Sequence, residues 1–282
     1  MKNEYWTGMS VRKEAARLAL RVARWCNPEP DVDPVSYGDV ALRDACRGGW
    51  FRADTRELFE GFPIAPSDTL VDVGCGAGEN AAFCAAFAAR MILVDVDPKK
   101  IEATEQRLRS RGATNWQIIL SNGNPLPIDA ATADKVVCTE VLEHVPDTTQ
   151  FMRELARIGK PGALYLISVP DALSEQVAKR VAPPEVFREP NHIRVIGRDE
   201  LERLATDAGL RVQKHAFYGF YWAIWHTLVW KCDIDFDHGR HPALDHWTRA
   251  WNAVLDLPEG QQCKNALDEA MPKSQIIVAR KQ

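Results

Sequence analysis

The stretch VDVGCGAGEN, residues 71–80, decides the fold. A short β-rich run at 69–73 leads directly into glycines at 74, 76 and 78, and an Ala- and Phe-rich helical stretch follows from Glu79. Glycine permits a tight turn and lets a ligand approach the backbone closely. The N-terminus of the following helix offers free N–H groups and a positive partial charge. The stretch therefore predicts a strand, a ligand-binding loop and a helix in direct succession.

A regular alternation of strands and helices surrounds this loop. The helical segments are predicted at 79–90, 98–110, 148–158 and 198–208, and the strands at 69–73, 91–96, 116–120, 134–138, 163–169, 210–217 and 275–279. The strand predicted at 91–96 begins with four consecutive apolar residues, 91–94, as in a strand that is buried on both faces. Alternating strands and helices predict an α/β fold with a parallel sheet covered by helices on both sides.

Flanking segments extend this core. Residues 10–26 carry an amphipathic helical pattern that ends at Asn27-Pro28, and a short helix is predicted at 52–62. The 57 residues between the last two strands are too many for a hairpin turn and predict a helical cap. We therefore divide the chain into an N-terminal helical segment (1–66), a core (67–217), a cap insertion (218–274) and a last core strand (275–282).

Composition limits the class of protein. The 282 residues carry a net charge of −4, so there is no global basic field to attract nucleic acid. The N-terminus has no apolar region of a secretory signal, and no run reaches the roughly 18 apolar residues of a membrane span. Seven cysteines without a CxxC pair argue against a disulfide framework or a cysteine zinc site, and favour a reduced, cytoplasmic location.

Further polar positions follow the strands. The dinucleotide fingerprint needs Gly at position 79, where this chain has Glu79, and a negative side chain there would repel a pyrophosphate. Asp95 ends the second strand, where a carboxylate can accept both hydroxyls of a ribose. The segments SNGNPLP (121–127) and CTEVLEHVPD (138–147) follow the third and fourth strands.

The order VDVGCGAG, LVDVDP, NGNPLP, VVCTEVLEHVPD and RELARIGKPGALYLISVP resembles the class I S-adenosylmethionine-dependent methyltransferases. It is most similar to the broad methyltransferase-domain group that includes the ubiquinone-biosynthesis O-methyltransferases, and the resemblance covers residues 67–217. It implies a seven-stranded, mostly parallel, Rossmann-like sheet and S-adenosyl-L-methionine as cofactor.

The resemblance also implies the cofactor-binding residues. Gly74, Gly76 and Gly78 would lie under the methionine part and the sugar. Asp72 would order the loop and face the methionine ammonium, or be a plain strand-end carboxylate. Asp95 would bind the ribose, or be a loop carboxylate.

Three motifs would hold the rest of the cofactor. Asn122 stands where the family often has Asp, bonded to the adenine amino group, and its alternative is a turn residue. Gly123 would present its N–H to the adenine ring. Thr139 and Glu140 would lie beside the methionine part.

Methyl transfer is a direct displacement that requires positioning and at most one general base. Candidate catalytic residues are His144, His192 and Glu143, with His226 also considered. The alternatives are a structural role for His144 and a backbone-bonded turn residue at position 192. Glu140, Glu143 and His144 resemble a metal-binding triplet proposed for the ubiquinone O-methyltransferases. Because this pattern is also widespread in members with no known metal, we assign no metal site.

The segment FYGFYWAIWHTLVW, residues 217–230, is densely aromatic. It predicts the wall of an apolar acceptor site, the core of the cap, or a homodimer contact. One helical face carries Phe220, Tyr221, Ile224, Trp225 and Leu228, and that face would line the acceptor pocket or form the core of the cap.

The sequence thus predicts an S-adenosylmethionine-dependent methyltransferase of a small apolar, aromatic or lipid-linked acceptor, with O-methylation as the reaction. The alternatives are methylation of a glycan or another polar metabolite, and a catalytically silent cofactor-binding partner of another enzyme. A nicotinamide oxidoreductase and a nucleic-acid methyltransferase are disfavoured by Glu79 and by the missing basic patch. No nucleic-acid partner and no stable membrane insertion are expected.

Overall fold

A computed structural model describes residues 35–235 and 239–282. Its first part contains the helix α1 (Tyr37–Arg47) and a small antiparallel sheet of β1 (Trp50–Arg52), β2 (Glu57–Phe59) and β3 (Phe62–Pro63). The expected helix at 52–62 is therefore wrong, and the segment up to residue 66 is not purely helical. Phe59 and Phe62 are almost fully buried in this small sheet. The predicted helix at 10–26 lies outside the described residues.

The central sheet has seven strands, as predicted. They are β4 (Thr69–Val73), β5 (Arg90–Asp95), β6 (Trp116–Leu120), β7 (Ala133–Thr139), β8 (Gly159–Pro170), β9 (Leu210–Tyr218) and β10 (Ser274–Lys281). Their order in space is β6-β5-β4-β7-β8-β10-β9. The first five strands run parallel, and β10 pairs antiparallel with both β8 and β9. The α/β, mostly parallel architecture is thus confirmed.

Five helices connect the strands of this sheet. They are α2 (Glu79–Cys84), α3 (Pro98–Ser110), α4 (Thr148–Ile158), α5 (Ala172–Val181) and α6 (Arg198–Asp207). Asp97, Asp147 and Asp171 cap the N-termini of α3, α4 and α5 by accepting a backbone N–H. Apolar clusters fill both faces of the sheet, which is why residues 91–94 of β5 are all apolar. No pattern in the sequence predicted the helix α5.

Three helices lie between β9 and β10: α7 (Phe220–Lys231), α8 (Pro242–Asp256) and α9 (Gly260–Ala270). We call them the cap helices. A third apolar cluster, which includes Tyr221, Trp225 and Trp251, joins α7 and α8 to α1. Because β9 ends and β10 begins at the same edge of the sheet, α7 begins beside the carboxyl end of β8. The cap helices therefore start at the edge where the glycine loop and the loops after β5 and β7 emerge.

Candidate functional site

The glycine loop between β4 and α2 has the backbone that its sequence requires. Gly74, Gly76 and Gly78 have φ of +76°, +56° and +80°, the left-handed region that favours glycine. A Cβ at Gly74 would meet Val141 Cγ2 at 2.3 Å, and one at Gly78 would meet Thr104 at 2.9 Å. A Cβ at Gly76 would meet nothing within 4 Å. The outer glycines thus serve packing, and Gly76 borders the open space over the loop.

Side chains from α3 hold this loop in place, and the sequence analysis missed them. Thr104 Oγ1 donates to the carbonyl oxygen of Gly76 at 2.7 Å, and Arg107 Nε donates to that of Ala77 at 2.7 Å. Arg107 also pairs with Glu79 at 2.7 Å. This ion pair offsets the charge of Glu79. Glu79 would therefore repel a phosphate less strongly than its sequence position implies.

Asp72 lies at the end of β4, 1% exposed, and neither of its carboxylate oxygens has a hydrogen-bond partner among the described residues. Burial, and then the charges of Asp95 and Glu79, raise the pKa of Asp72 to about 7. A buried carboxylate without partners is costly unless a ligand compensates it. This environment suits a cationic group such as the methionine ammonium of the cofactor.

Asp95 lies at the carboxyl end of β5. Its Oδ2 accepts the N–H of Gly76 at 2.8 Å, and its Oδ1 accepts that of Asp97 at 2.9 Å. Each oxygen retains one lone pair that could accept a ribose hydroxyl. Val96 and Leu120, at the ends of β5 and β6, are 67% and 61% exposed. These exposed apolar side chains beside Asp95 suit the adenine ring, and the sequence analysis did not single them out.

The loop after β6 is built as a turn. Asn122 is exposed, and its Oδ1 accepts the N–H of Asn124 at 3.2 Å, which is the turn-forming alternative. The N–H of Gly123 donates to Ser121 Oγ at 3.1 Å. Both predicted adenine contacts would therefore require these local bonds to be shared or exchanged.

Thr139 is the last residue of β7, and Glu140 follows it. Thr139 Oγ1 accepts a hydrogen bond from Asn80 at 3.2 Å. Glu140 adopts φ +56°, an unusual left-handed conformation for a non-glycine residue, and accepts a hydrogen bond from Ser168 Oγ at 2.9 Å. Lys273 donates to its other carboxylate oxygen. Burial raises the pKa of Glu140, but the Lys273 ammonium together with the hydrogen bonds of Ser168 and Ser274 lowers it overall.

Two neighbouring cavities adjoin Lys273. The strand-edge cavity, about 330 Å³, is lined by Trp50, Thr139, Glu140, Tyr218 and Trp222. The loop cavity, about 400 Å³, is lined by Glu175, Val177, Asn191, His192 and Trp230. Both cavities are also lined by His226 and Lys273, so they meet at these two side chains.

The face of α7 that carries Tyr221 and Trp225 forms the core of the cap, one of the alternatives that the sequence left open. Tyr221 and Trp225 are 0% and 7% exposed and belong to the apolar cluster shared with α8 and α1. The adjacent face lines the cavities, with Trp222, His226 and Trp230 at successive four-residue steps. Their rings stack at centroid distances of 5.7 and 5.8 Å. Burial, followed by the charges of Lys273 and His192, lowers the pKa of His226 to about 3.

The structure brings the predicted catalytic residues together. Glu143 and His144 lie in a 3₁₀ turn after β7, and His192 lies in the segment before α6. The rings of His144 and His192 are 5.1 Å apart, nearly perpendicular. Burial, and then the charge of Glu140, raise the pKa of Glu143 well above its usual range.

The triplet of Glu140, Glu143 and His144 does not assemble as the resemblance implied. Glu140 turns toward Lys273 and Ser168, and His192 takes its place beside Glu143 and His144. Lys273 could not be singled out from the sequence, because no motif surrounds this residue just before β10.

Comparisons with known proteins now identify the fold. The methyltransferase-domain family model matches residues 42–215, with the glycine loop and the strands that carry Asp72, Asp95 and Glu140. The chain belongs to this methyltransferase family. Its seven-stranded sheet and glycine loop thus form the core of an S-adenosylmethionine-dependent methyltransferase domain.

Two proteins of similar sequence are a probable methyltransferase and an O-methyltransferase. A probable S-adenosylmethionine-dependent methyltransferase of Mycobacterium tuberculosis is 30% identical over 180 residues, 64% of this chain and 58% of that protein. A ubiquinone biosynthesis O-methyltransferase of Thiobacillus denitrificans is 26% identical over 208 residues, 71% of this chain and 84% of that protein. The chain thus spans little more than half of the mycobacterial relative.

Solved structures show the same fold. A geranyl diphosphate methyltransferase, in complex with geranyl diphosphate and sinefungin, matches with a TM-score of 0.54 at 18% identity, over 78% of this chain and 73% of that one. The YcgJ protein of Bacillus subtilis matches with a TM-score of 0.52 at 16% identity, over 88% and 99% of the two chains. Within residues 35–235 and 239–282, no helix has both the length and the apolar character to cross a bilayer.

Proposed function

We propose that this methyltransferase domain transfers a methyl group from S-adenosylmethionine to a small apolar, aromatic or lipid-linked acceptor, by direct O-methylation. The bound cofactor would supply an electrophilic methyl on a sulfonium. Asp72 would bind its ammonium group, and Asp95 would bind its ribose. The part of the cofactor that contacts the loop backbone would lie in the open space over Gly76.

The observation that carries the acceptor proposal is the strand-edge cavity. Thr139, the last residue of β7, and Glu140 line this cavity. Its walls also include Trp50, Tyr218 and Trp222. Aromatic walls with few polar groups suit an apolar or aromatic molecule. Lys273 and Glu140, which also line this cavity, could orient a hydroxyl.

His192 would accept the acceptor's proton in this proposal. It lines the loop cavity, and Glu175 holds its ring through a hydrogen bond of 3.1 Å. His226 lines both cavities, and its lowered pKa keeps the ring neutral near pH 7. It could therefore accept a hydrogen bond without carrying charge.

Calorimetry with S-adenosylhomocysteine tests the cofactor part. Asp95→Ala should weaken binding about a hundredfold, because it removes two charge-assisted hydrogen bonds to the ribose and also releases the N–H of Gly76. Asp207→Ala, an exposed carboxylate on α6, is the matched control and should bind as the wild type does. Equal affinity in all three proteins would contradict the ribose assignment.

The acceptor part is tested by transfer of a labelled methyl group to a panel of phenols, catechols and prenylated quinols, with simple sugars as the polar comparison. Trp222→Ala should raise KM for the accepted compounds and leave the affinity for S-adenosylhomocysteine nearly unchanged. Transfer to sugars alone would contradict the apolar acceptor.

A further inference from the structure

Three potential metal ligands meet beside the loop cavity: Glu143, His144 and His192. One potential donor atom of each lies within 4.8 Å of the others. Glu143 is 2% exposed, and neither carboxylate oxygen has a hydrogen-bond partner among the described residues. His144 Nε2 lies 3.8 Å from Glu143 Oε1. A buried carboxylate that lacks hydrogen bonds and faces imidazole nitrogens is an environment that a cation would complete.

The hydrogen bonds of the two imidazoles determine which nitrogen is available. His144 Nδ1 lies 3.0 Å from the carbonyl oxygen of Pro190, and His192 Nδ1 lies 3.1 Å from Oε2 of Glu175. A carbonyl and an ionised carboxylate only accept, so both Nδ1 atoms carry the hydrogen and donate. The lone pair is therefore on Nε2 in both rings. Metal-bound histidines have this same arrangement, in which the second nitrogen donates to a carbonyl or a carboxylate.

We propose that Glu143, His144 and His192 form a site for a divalent transition-metal ion of the zinc type. Two imidazoles and one carboxylate favour Zn²⁺, Co²⁺ or Mn²⁺ over Mg²⁺ and Ca²⁺, which take mainly oxygen ligands. Three protein ligands leave a coordination position open. Since His192 lines the loop cavity, that position would be available to an oxygen of the acceptor. A metal-bound His192 has no lone pair left for a proton, so in the metal-loaded protein the ion, and not His192, would promote loss of the acceptor's proton. This last role rests on the proposed function, whereas the metal site itself does not.

The geometry permits this site with small movements. Tetrahedral ligands at about 2.0–2.1 Å from zinc lie roughly 3.3 Å apart, so the donor atoms must approach by about an ångström. The side chain of His144 is 36% exposed and can turn toward the buried carboxylate. Glu140 is not a ligand here, because Lys273 and Ser168 already hold its two oxygens.

The experiment is a titration of the EDTA-treated protein with Co²⁺, followed by visible absorption, and with Zn²⁺ by calorimetry. We expect one ion per chain and a Co²⁺ spectrum of a site with nitrogen ligands. His144→Ala, His192→Ala and Glu143→Gln should each weaken binding at least tenfold. Glu175→Ala should weaken it about tenfold, because it removes the acceptor of the His192 N–H.

His246→Ala is the matched control, since it removes an exposed imidazole on α8 outside the cluster. It should leave Co²⁺ binding unchanged, and so should Glu140→Gln. The absence of a stoichiometric spectrum, or equal losses in His246→Ala and His192→Ala, would overturn the proposal. A loss in Glu140→Gln as large as in His192→Ala would also overturn it, in favour of the acidic triplet.

S-adenosylhomocysteine calorimetry on the same samples separates this inference from the proposed function. Retained cofactor binding in His192→Ala would show that the variant is folded and would support a specific loss of metal. A wild-type protein that binds Co²⁺ but no S-adenosylhomocysteine would contradict the proposed function alone. One that binds the cofactor but no metal would contradict the metal site alone.

Discussion

At the scale of single residues, Asp72 is a buried carboxylate whose environment lowers the stability of the folded protein. The side chain is buried and has no hydrogen-bond partner among the described residues, and its pKa is raised to about 7. In the unfolded chain the carboxyl titrates near 3.8. The folded protein therefore binds more protons than the unfolded chain between these values, and its stability falls as pH rises through this range.

Asp72→Asn should consequently stabilise the cofactor-free protein at pH 8. The difference between the two pKa values corresponds to about 4 kcal/mol, and the unpartnered amide of Asn offsets part of this, so we expect roughly 2–3 kcal/mol. The gain should nearly vanish at pH 4. Denaturant unfolding at the two pH values measures it.

The same variant should bind S-adenosylhomocysteine at least tenfold more weakly, because the charge opposite the methionine ammonium is lost. If Asp72→Asn is less stable than the wild type at pH 8 and binds the cofactor equally well, Asp72 has a structural role instead.

Lys273 makes a contact that its position in the sequence does not reveal. It lies 133 residues from Glu140, yet it donates to the Glu140 carboxylate at the junction of the two cavities. Burial lowers the pKa of Lys273, but the charge and hydrogen bond of Glu140, together with the charges of Glu143 and Glu175, raise it overall. The ammonium is therefore retained where an acceptor would lie.

At the scale of elements, α7 has two functional faces. Tyr221 and Trp225 pack inward with α8 and α1, and Tyr221 donates to or accepts from Thr248 Oγ1 at 3.0 Å. Trp222 and Trp230 line the cavities. Each face thus contributes to a different property of the protein.

Mutations on the two faces should separate these properties. Tyr221→Ala and Trp225→Ala should each destabilise the protein by about 3–5 kcal/mol, since they leave cavities in the cap cluster. Trp222→Ala should cost less than half of that and should instead raise the acceptor's KM. Thermal unfolding and methyl-transfer kinetics on the same preparations measure the two effects. Equal destabilisation by all three changes would contradict the division of faces.

At the scale of the whole molecule, a buried cluster of charged residues connects the cap helices to α1. Lys264 on α9 is fully buried and pairs with Asp44 of α1 at 2.8 Å and with Asp268 at 2.7 Å. Asp268 also accepts the backbone N–H groups of Gly219 and Phe220, at the start of α7. Trp251 Nε1 of α8 donates to Asp44 at 2.8 Å. One cluster therefore links α1 to all three cap helices.

Lys264→Met should destabilise the protein by about 3–5 kcal/mol, because two buried carboxylates lose their counter-charge. The combination with Asp44→Asn and Asp268→Asn should recover part of this loss, since it removes the uncompensated charges. Lys100→Met, an exposed lysine on α3, is the control and should change stability by less than about 0.5 kcal/mol. Urea unfolding measures all three, and a neutral Lys264→Met would contradict the fastening role.

Local patterns in the sequence were enough for the sheet and the glycine loop. Strands buried on both faces are continuously apolar, and the tight turn after β4 needs glycine, so short segments carry these features without help from distant residues. The positions of Asp72, Asp95 and Glu140 followed from the strand ends. Residues 52–62 were predicted wrongly, because short strands of an antiparallel sheet leave little periodic signal.

The tertiary structure alone decided which side of α7 faces the cavities and which distant side chains meet. Both sides of α7 are aromatic or apolar, so periodicity could not distinguish the buried face from the cavity wall. Lys273 reaches Glu140, and His192 reaches His144, only because β10 inserts beside β8 and the segment before α6 returns to the loop after β7. Such long-range contacts depend on chain topology and side-chain packing, which no local pattern of residues encodes.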